Sequence, residues 1–202
     1  MQSTVILVRH GATEANANRL LVGAVNTSLT STGIAQAKEA AGRVSSIVKT
    51  EARLYSSPLI RAYMTAVYIG NACGLPIETR LDLRERTYGP LELAPRDQVV
   101  AYRKQLNLQI HEPTLTWPDD TGPESQQQLM ARAGGFLESL PDGLPTTVIV
   151  SHAGWIHAAC DVVLFNRERV FGIRLKAASY IRLLRHASGE WEVSELWNNN
   201  IT

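Results

Sequence analysis

Two histidines lie far apart in the chain but in similar company: Arg9-His10-Gly11 and Ser151-His152-Ala153-Gly154. Each follows a short apolar or β-branched run, Val5-Ile6-Leu7-Val8 for the first and Thr146-Thr147-Val148-Ile149-Val150 for the second. A third run, 52–55, ends in Ser56-Ser57-Pro58-Leu59-Ile60-Arg61 and brings a second arginine. These residue types suit phosphoryl transfer without a metal. A phosphate monoester carries about −1.5 to −2 charge at neutral pH, and Arg9 and Arg61 can grip its oxygens bidentately while staying charged. One imidazole, neutral at one nitrogen, attacks phosphorus in line and splits one difficult step into two. The second, charged, steadies the equatorial oxygens as charge spreads in the transition state. Gly11 permits close backbone approach, and Gly154 leaves room beside His152. The leaving oxygen needs a proton, and Glu85 in Asp82-Leu83-Arg84-Glu85-Arg86 is the candidate acid.

These groups act together only if three strand ends share one rim. In open α/β sheets, ligands sit outside the carboxyl ends of the strands. The chain alternates as such a sheet requires, with strands expected over 4–9, 52–55 and 146–150 and helices over 29–48, 59–72 and 153–165. In the first helix Ile34, Ala37, Ala41, Val44 and Val48 recur at helical spacing, and Pro58 and Gly74 suit the start and end of the second. Ser188-Gly189 between 178–184 and 191–196 predicts a hairpin. The expected fold is a single α/β domain, three layers (α/β/α) around a mainly parallel central sheet. Residues 82–130 break the pattern with Pro90, Pro95, Pro113, Pro118 and Pro123 around a polar helix over 96–108. They read as an insertion that caps a strand edge.

Composition removes other classes. With 202 residues, 45% hydrophobic and 19% charged, the chain is neither disordered nor fibrous. Lys plus Arg number 20 against 19 Asp plus Glu, so no basic field points to nucleic acid. Cys73 and Cys160 stand far apart with no CxxC, which reads as two buried reduced thiols. The first apolar run is too short for a signal peptide or membrane span, so a cytoplasmic setting is expected. His111, His157 and His186 lack partners at metal spacing, and no metal site or cofactor is expected.

The residues around these motifs resemble the histidine phosphatase superfamily, the phosphoglycerate-mutase-like group. Leu7-Val8-Arg9-His10-Gly11-Ala12-Thr13-Glu14-Ala15-Asn16 is similar to its signature, followed by Gly23, Leu29-Thr30 and Gly33-Ile34-Ala35-Gln36-Ala37. Ser56 to Ala62 with Thr65-Ala66, Leu83-Arg84-Glu85 with Tyr88-Gly89, Gly122-Pro123-Glu124-Ser125 and Val150 to Gly154 continue the match in order. The resemblance implies His10 as nucleophile and Glu85 as general acid, then base toward water. It also implies Arg9, Arg61, His152 and Asn16 around the phosphate, with Ala153 keeping the backbone N–H where the family often has Gly. Gly23, Arg86 and Tyr88 are candidates for the substrate mouth. Trp155 and Trp117 suit burial better than ring stacking. Arg96, Arg103 and Lys176 read as surface charges.

Several positions depart from the family pattern. Met64 stands where Gln is frequent, and Asn26 and Ser28 replace Asp and Pro. Gly89-Pro90-Leu91-Glu92-Leu93 replaces a common Gly-x-Trp-Glu-Gly. Glu85-Arg86-Thr87-Tyr88-Gly89 is similar to the mutases of the family. The mutase pattern's Gly-Leu-Asn-Lys and Arg-Arg pair are missing, which removes a clamp for a second acidic group. The expected activity is phosphomonoester hydrolysis on a small phosphorylated substrate, similar to the α-ribazole and broad-specificity phosphatases. A mutase-type transfer is the alternative, and a non-catalytic phospho-ligand binder a third reading. A homodimer is compatible with the sequence; neither a membrane nor a nucleic-acid partner is expected.

Overall fold

Side chains of the first strand, β1 (Ser3–Arg9), divide by parity. Val5 and Leu7 enter one apolar cluster, Ile6 and Val8 another. A strand buried on both faces separates two cores, so helices must cover both sides. The computed structural model describes residues 2–48, 51–105, 123–141, 143–164 and 175–201, without the side chains of Arg96, Arg103 and Gln105.

Five further strands complete the sheet: β2 (Ala52–Ser56), β3 (Ile77–Thr79), β4 (Thr146–Ser151), β5 (Tyr180–Arg185) and β6 (Trp191–Trp197). The order is β3-β2-β4-β1-β5-β6. The pairs from β3 to β1 are parallel, whereas β5 and β6 are antiparallel additions at one edge. This is the three-layer, mainly parallel architecture expected from the alternating pattern.

The described helices are α1 (Glu14–Ala17), α2 (Ser31–Ile47), α3 (Ile60–Cys73), α4 (Arg96–Gln105), α5 (Gln126–Glu138) and α6 (Ala153–Val163). Ala41 and Val44 of α2, with Ala62, Ala66 and Ile69 of α3, close the face bearing Ile6 and Val8. Leu129, Ala133 and Phe136 of α5, with Trp155 and Ile156 of α6, close the other. Trp155 is wholly buried there, edge-on to Phe136 at 6.0 Å between centroids, so it belongs to the core.

Ends follow local chemistry. Thr30 caps α2 by accepting from Gly33 N–H, and Ser125 and Gln128 form a reciprocal capping box on α5. Gly74 ends α3 in the left-handed region at φ 67°, as its position predicts. At the Ser188-Gly189 turn, His186 N–H donates to Glu190 C=O at 2.8 Å and closes the β5–β6 hairpin. Two short pieces, α1 and β3, went unread in the sequence, being too brief to show a period, and α5 (Gln126–Glu138), which begins inside the expected insertion, was not read as a helix either.

The expected insertion lies partly outside the described residues, as do Pro113, Trp117 and His111. Its first part is sewn to the segment after α1: Leu93 N–H donates to Leu21 C=O and Leu21 N–H to Ala94 C=O. Cys73 and Cys160 are free thiols, and burial pushes Cys160 up to about 12. Among the described residues, no helix is long and apolar enough to cross a membrane, and no cluster of metal-ligating side chains occurs.

Candidate active site

Adjacency of β2, β4 and β1 puts their carboxyl ends side by side. Arg9 is in register with Ser151 and Ser56 with Val150, so the residues that follow each strand meet at one height. His10 N–H donates to Ser151 C=O at 3.0 Å, and Ser57 N–H to Val150 C=O at 2.9 Å. The rings of His10 and His152 stand 5.1 Å apart between centroids, tilted by 58°. Two imidazoles remote in the chain thus share one pocket.

The His10 ring is oriented from both ends. Its Nδ1 lies 2.7 Å from Gly11 C=O, which can only accept, so the ring hydrogen sits on Nδ1. Nε2 then carries the lone pair, and it accepts from Arg61 Nε at 3.2 Å. Burial, then the charges of Arg61 and Arg9, hold the His10 pKa well below its ordinary value, although the bond to Gly11 opposes this. The ring is a neutral imidazole with its basic nitrogen toward Arg61.

Arg61 is almost wholly buried, and its guanidinium anchors a loop as well. Nη1 donates to Val25 C=O and Nη2 to Gly23 C=O, both at 2.7 Å. Burial lowers its pKa to about 10, so it stays charged at neutral pH. Gly23 adopts φ 56°, and an added Cβ there would press on the Glu92 carboxylate. Glu92 Oε1 accepts from Ala24 N–H at 2.8 Å and from Tyr88 N–H and the Thr87 hydroxyl at 3.1 Å. That carboxylate ties the Arg61 loop to the segment after Glu85. Arg9 directs Nη1 to Leu175 C=O at 2.6 Å.

His152 is fully buried at the N-cap of α6, and Nε2 lies 2.8 Å from Ser57 Oγ. Burial, then Arg61, His10, Arg9 and Arg132, hold its pKa well below the ordinary value. The sequence reading gave this second imidazole a charge. Burial and the neighbouring cations both act against that charge.

Glu85 is held by backbone at both oxygens. Oε1 accepts from Arg86 N–H at 2.9 Å and Oε2 from Gly154 N–H at 3.1 Å, at the start of α6. A Cβ on Gly154 would collide with this carboxylate, so the space Gly154 leaves is filled by Glu85. Arg86, a candidate for the substrate mouth, is itself buried and donates to Gln126 Oε1. Behind Glu85, Arg132 donates to Asp82 C=O at 2.7 Å and Arg84 C=O at 2.8 Å. Its other nitrogens pair with both oxygens of Glu124 at 2.9 and 2.7 Å.

The remaining candidates fall on the rim or behind it. Ala153 is the first residue of α6, half-buried, at a helix end that favours anions. Asn16 sits in α1, its Oδ1 accepting from the Thr13 hydroxyl at 2.9 Å, which leaves the amide nitrogen as the donating end. Tyr88 is half-buried. The close approach at Gly11 is made to Gly33, whose carbonyl an added Cβ would strike. Asn26, at one of the departures, accepts from Ile60 N–H at 2.9 Å at the start of α3, keeping the acceptor an Asp would supply.

Four supporting residues escaped the sequence reading: Ser57, Gln36, Glu92 and Arg132. Gln36 lies on the buried face of α2, accepting from Ala12 N–H at 3.0 Å and donating to Ile201 C=O at 2.9 Å. A polar residue at a helical core position was the available signal.

A model of the histidine phosphatase superfamily (branch 1) matches residues 5–200. The chain is 34% identical over 182 residues to the probable phosphoglycerate mutase GpmB of Shigella boydii serotype 18, covering 89% of this chain and 80% of that one. Its fold superposes on mycobacterial glucosyl-3-phosphoglycerate phosphatase with a TM-score of 0.79 at 25% identity, over 99% of this chain and 100% of the other. It also superposes on a putative alpha-ribazole-5'-P phosphatase of Escherichia coli K-12, TM-score 0.83 at 21% identity, over 99% and 98% of the two chains. The chain belongs to the histidine phosphatase superfamily. Its relatives carry phosphatase and mutase names, and phosphoryl chemistry is what those activities share.

Proposed function

We propose that this chain is a phosphomonoester hydrolase for small phosphorylated metabolites, acting through phosphohistidine at His10. The observation that carries the reading is the state of His10: neutral, its hydrogen bound to Gly11, its Nε2 lone pair beside Arg61 and next to a second imidazole. A phosphoryl group entering between the rings takes the Arg61 Nε–H onto an oxygen and frees Nε2 to attack. The P–N bond forms as the P–O bond to the leaving group breaks, and Glu85 gives its proton to the departing oxygen. Arg9, Arg61, His152, the Asn16 amide and the Ala153 N–H hold the three peripheral oxygens. Water then attacks phosphorus, Glu85 takes a water proton, the P–N bond breaks and phosphate leaves. None of these steps uses a metal, so chelator should leave turnover intact; a loss restored by Mg²⁺ or Zn²⁺ would contradict the scheme.

A mutase reading is favoured by one relationship, the 34% identity to GpmB, and by Glu85-Arg86-Thr87-Tyr88-Gly89. Against it, the Arg86 guanidinium is buried and engaged by Gln126 rather than offered to a second acidic group. The deciding experiment measures phosphate release from p-nitrophenyl phosphate and a panel of small phosphometabolites, with phosphoglycerate interconversion assayed beside it. Release of inorganic phosphate as the dominant reaction supports the hydrolase; interconversion with little release supports the mutase.

A further inference from the structure

Ser57 directly follows β2 in full burial, and its hydroxyl has two neighbours. Oγ accepts from Leu59 N–H at 3.3 Å and lies 2.8 Å from His152 Nε2. At the other end of the ring, Nδ1 is buried and has no hydrogen-bond partner among the described residues. Two tautomers are open to a neutral ring. If Nε2 bore the hydrogen and donated to Ser57, Nδ1 would be a buried lone pair, repelled by any phosphoryl oxygen beside it. The serine hydrogen would then need another acceptor. If Ser57 instead donates into Nε2, its hydroxyl both accepts and donates, and the ring hydrogen moves to Nδ1. Nδ1 then becomes a buried N–H with no partner among the described residues, beside the ring of His10, which is what a ligand oxygen satisfies.

We infer that Ser57 is a positioning residue that fixes the tautomer of His152 and so leaves Nδ1–H as the donor to a phosphoryl oxygen. The inference rests on the phosphoryl reading above and adds to it the protonation pattern of the second histidine. His152 then works as an oriented neutral donor, with the positive charge of the pocket supplied by Arg61 and Arg9. The charged or titratable groups acting on the ring, Arg61 from α3, His10 and Arg9 at the end of β1 and Arg132 from α5, all oppose its protonation.

Nitrogen-15 NMR of histidine-labelled enzyme reads the tautomer directly, the His152 signals being assigned by their loss in His152→Asn. At neutral pH the hydrogen should be on Nδ1; a hydrogen on Nε2, or on both nitrogens, overturns the inference without any Ser57 variant. In Ser57→Ala the Nδ1–H form should lose its dominance. kcat/KM for p-nitrophenyl phosphate should fall about 100-fold, the scale of losing one transition-state donor. Ser57→Thr, which keeps the hydroxyl, should restore both. A Ser57→Ala enzyme with wild-type rate and an unchanged tautomer sinks the inference and leaves phosphohistidine catalysis standing. A His10→Ala enzyme that still turns over sinks phosphohistidine catalysis, and the tautomer measurement then stands on its own.

Discussion

Glu85 reaches the candidate site through two backbone N–H groups, so its role can be probed apart from its position. Glu85→Gln keeps the shape and one of the two acceptor oxygens, loses one of the two backbone bonds, and has no acidic proton to give. Esters with poor leaving groups should slow by about 10²–10⁴-fold, the usual scale of general acid catalysis, while p-nitrophenyl phosphate slows far less. Initial rates across a leaving-group series check this, and equal slowing of both removes Glu85 as the acid. Gly154 makes a companion case, since a methyl there meets the Glu85 carboxylate. Gly154→Ala should reproduce the leaving-group dependence of Glu85→Gln while the fold persists by circular dichroism. At this scale the sequence shows the proposed site residues plainly, because Arg9 ends β1, His10 and His152 follow β1 and β4, and Arg61 opens the helix after β2. Ser57, Glu92 and Arg132 were hidden, because each works by the partner it holds, and those partners are set only when distant segments meet.

Elements explain how the segments along the rim are joined. α2 latches the loop after His10 through Thr30, whose N–H donates to Ala12 C=O at 3.0 Å, and through Gln36 on Ala12 N–H. Glu92 and the Leu93–Leu21 bond join the loop after α1 to the segment after Glu85. Leu93 adopts φ 63°, in the left-handed region, at a position where the resembling pattern carries Gly. A side chain there costs about 1–2 kcal/mol, offset in part by the greater freedom glycine loses on folding, about 0.5–1 kcal/mol. Leu93→Gly should therefore be more stable than Leu93→Ala by about 0.5–1 kcal/mol in urea unfolding. The reverse order would show that this turn is not strained. Most strands and the helices α2, α3 and α6 were legible because burial on both faces gives unbroken apolar runs and helical spacing recurs over several turns, whereas α5, opening on Gln126-Gln127-Gln128 beside the proline-broken insertion, was not. The four residues of α1 and three of β3 offer too few positions for either signal, and tertiary bonds decide them.

Across the whole molecule, two buried neutral imidazoles link stability to pH. Burial and nearby arginines depress both His10 and His152 from the ordinary 6.5. The folded chain therefore binds fewer protons than the unfolded chain once pH falls below about 6.5. Stability is fully present above that pH and is lost on the acid side until the folded pKa values are reached. Each ring contributes about 1.4 kcal/mol of loss per pH unit in that window. Urea unfolding between pH 7.5 and 5.5 (about one unit either side of the histidine midpoint) should show the decline, and His152→Asn should remove about half of the histidine share. A variant with an undiminished slope would mean that His152 titrates alike in both states. Inorganic phosphate, as a bound dianion, should raise Tm through mass action on the folded state.

The central claim is that His10 Nε2 takes the phosphoryl group. Rapid quenching during turnover of p-nitrophenyl phosphate, followed by peptide mass spectrometry under alkaline conditions, tests it directly. The account predicts one acid-labile, base-stable phosphoryl group on His10 that is missing from His10→Ala. Turnover with no adduct, or an adduct on another residue, would contradict it.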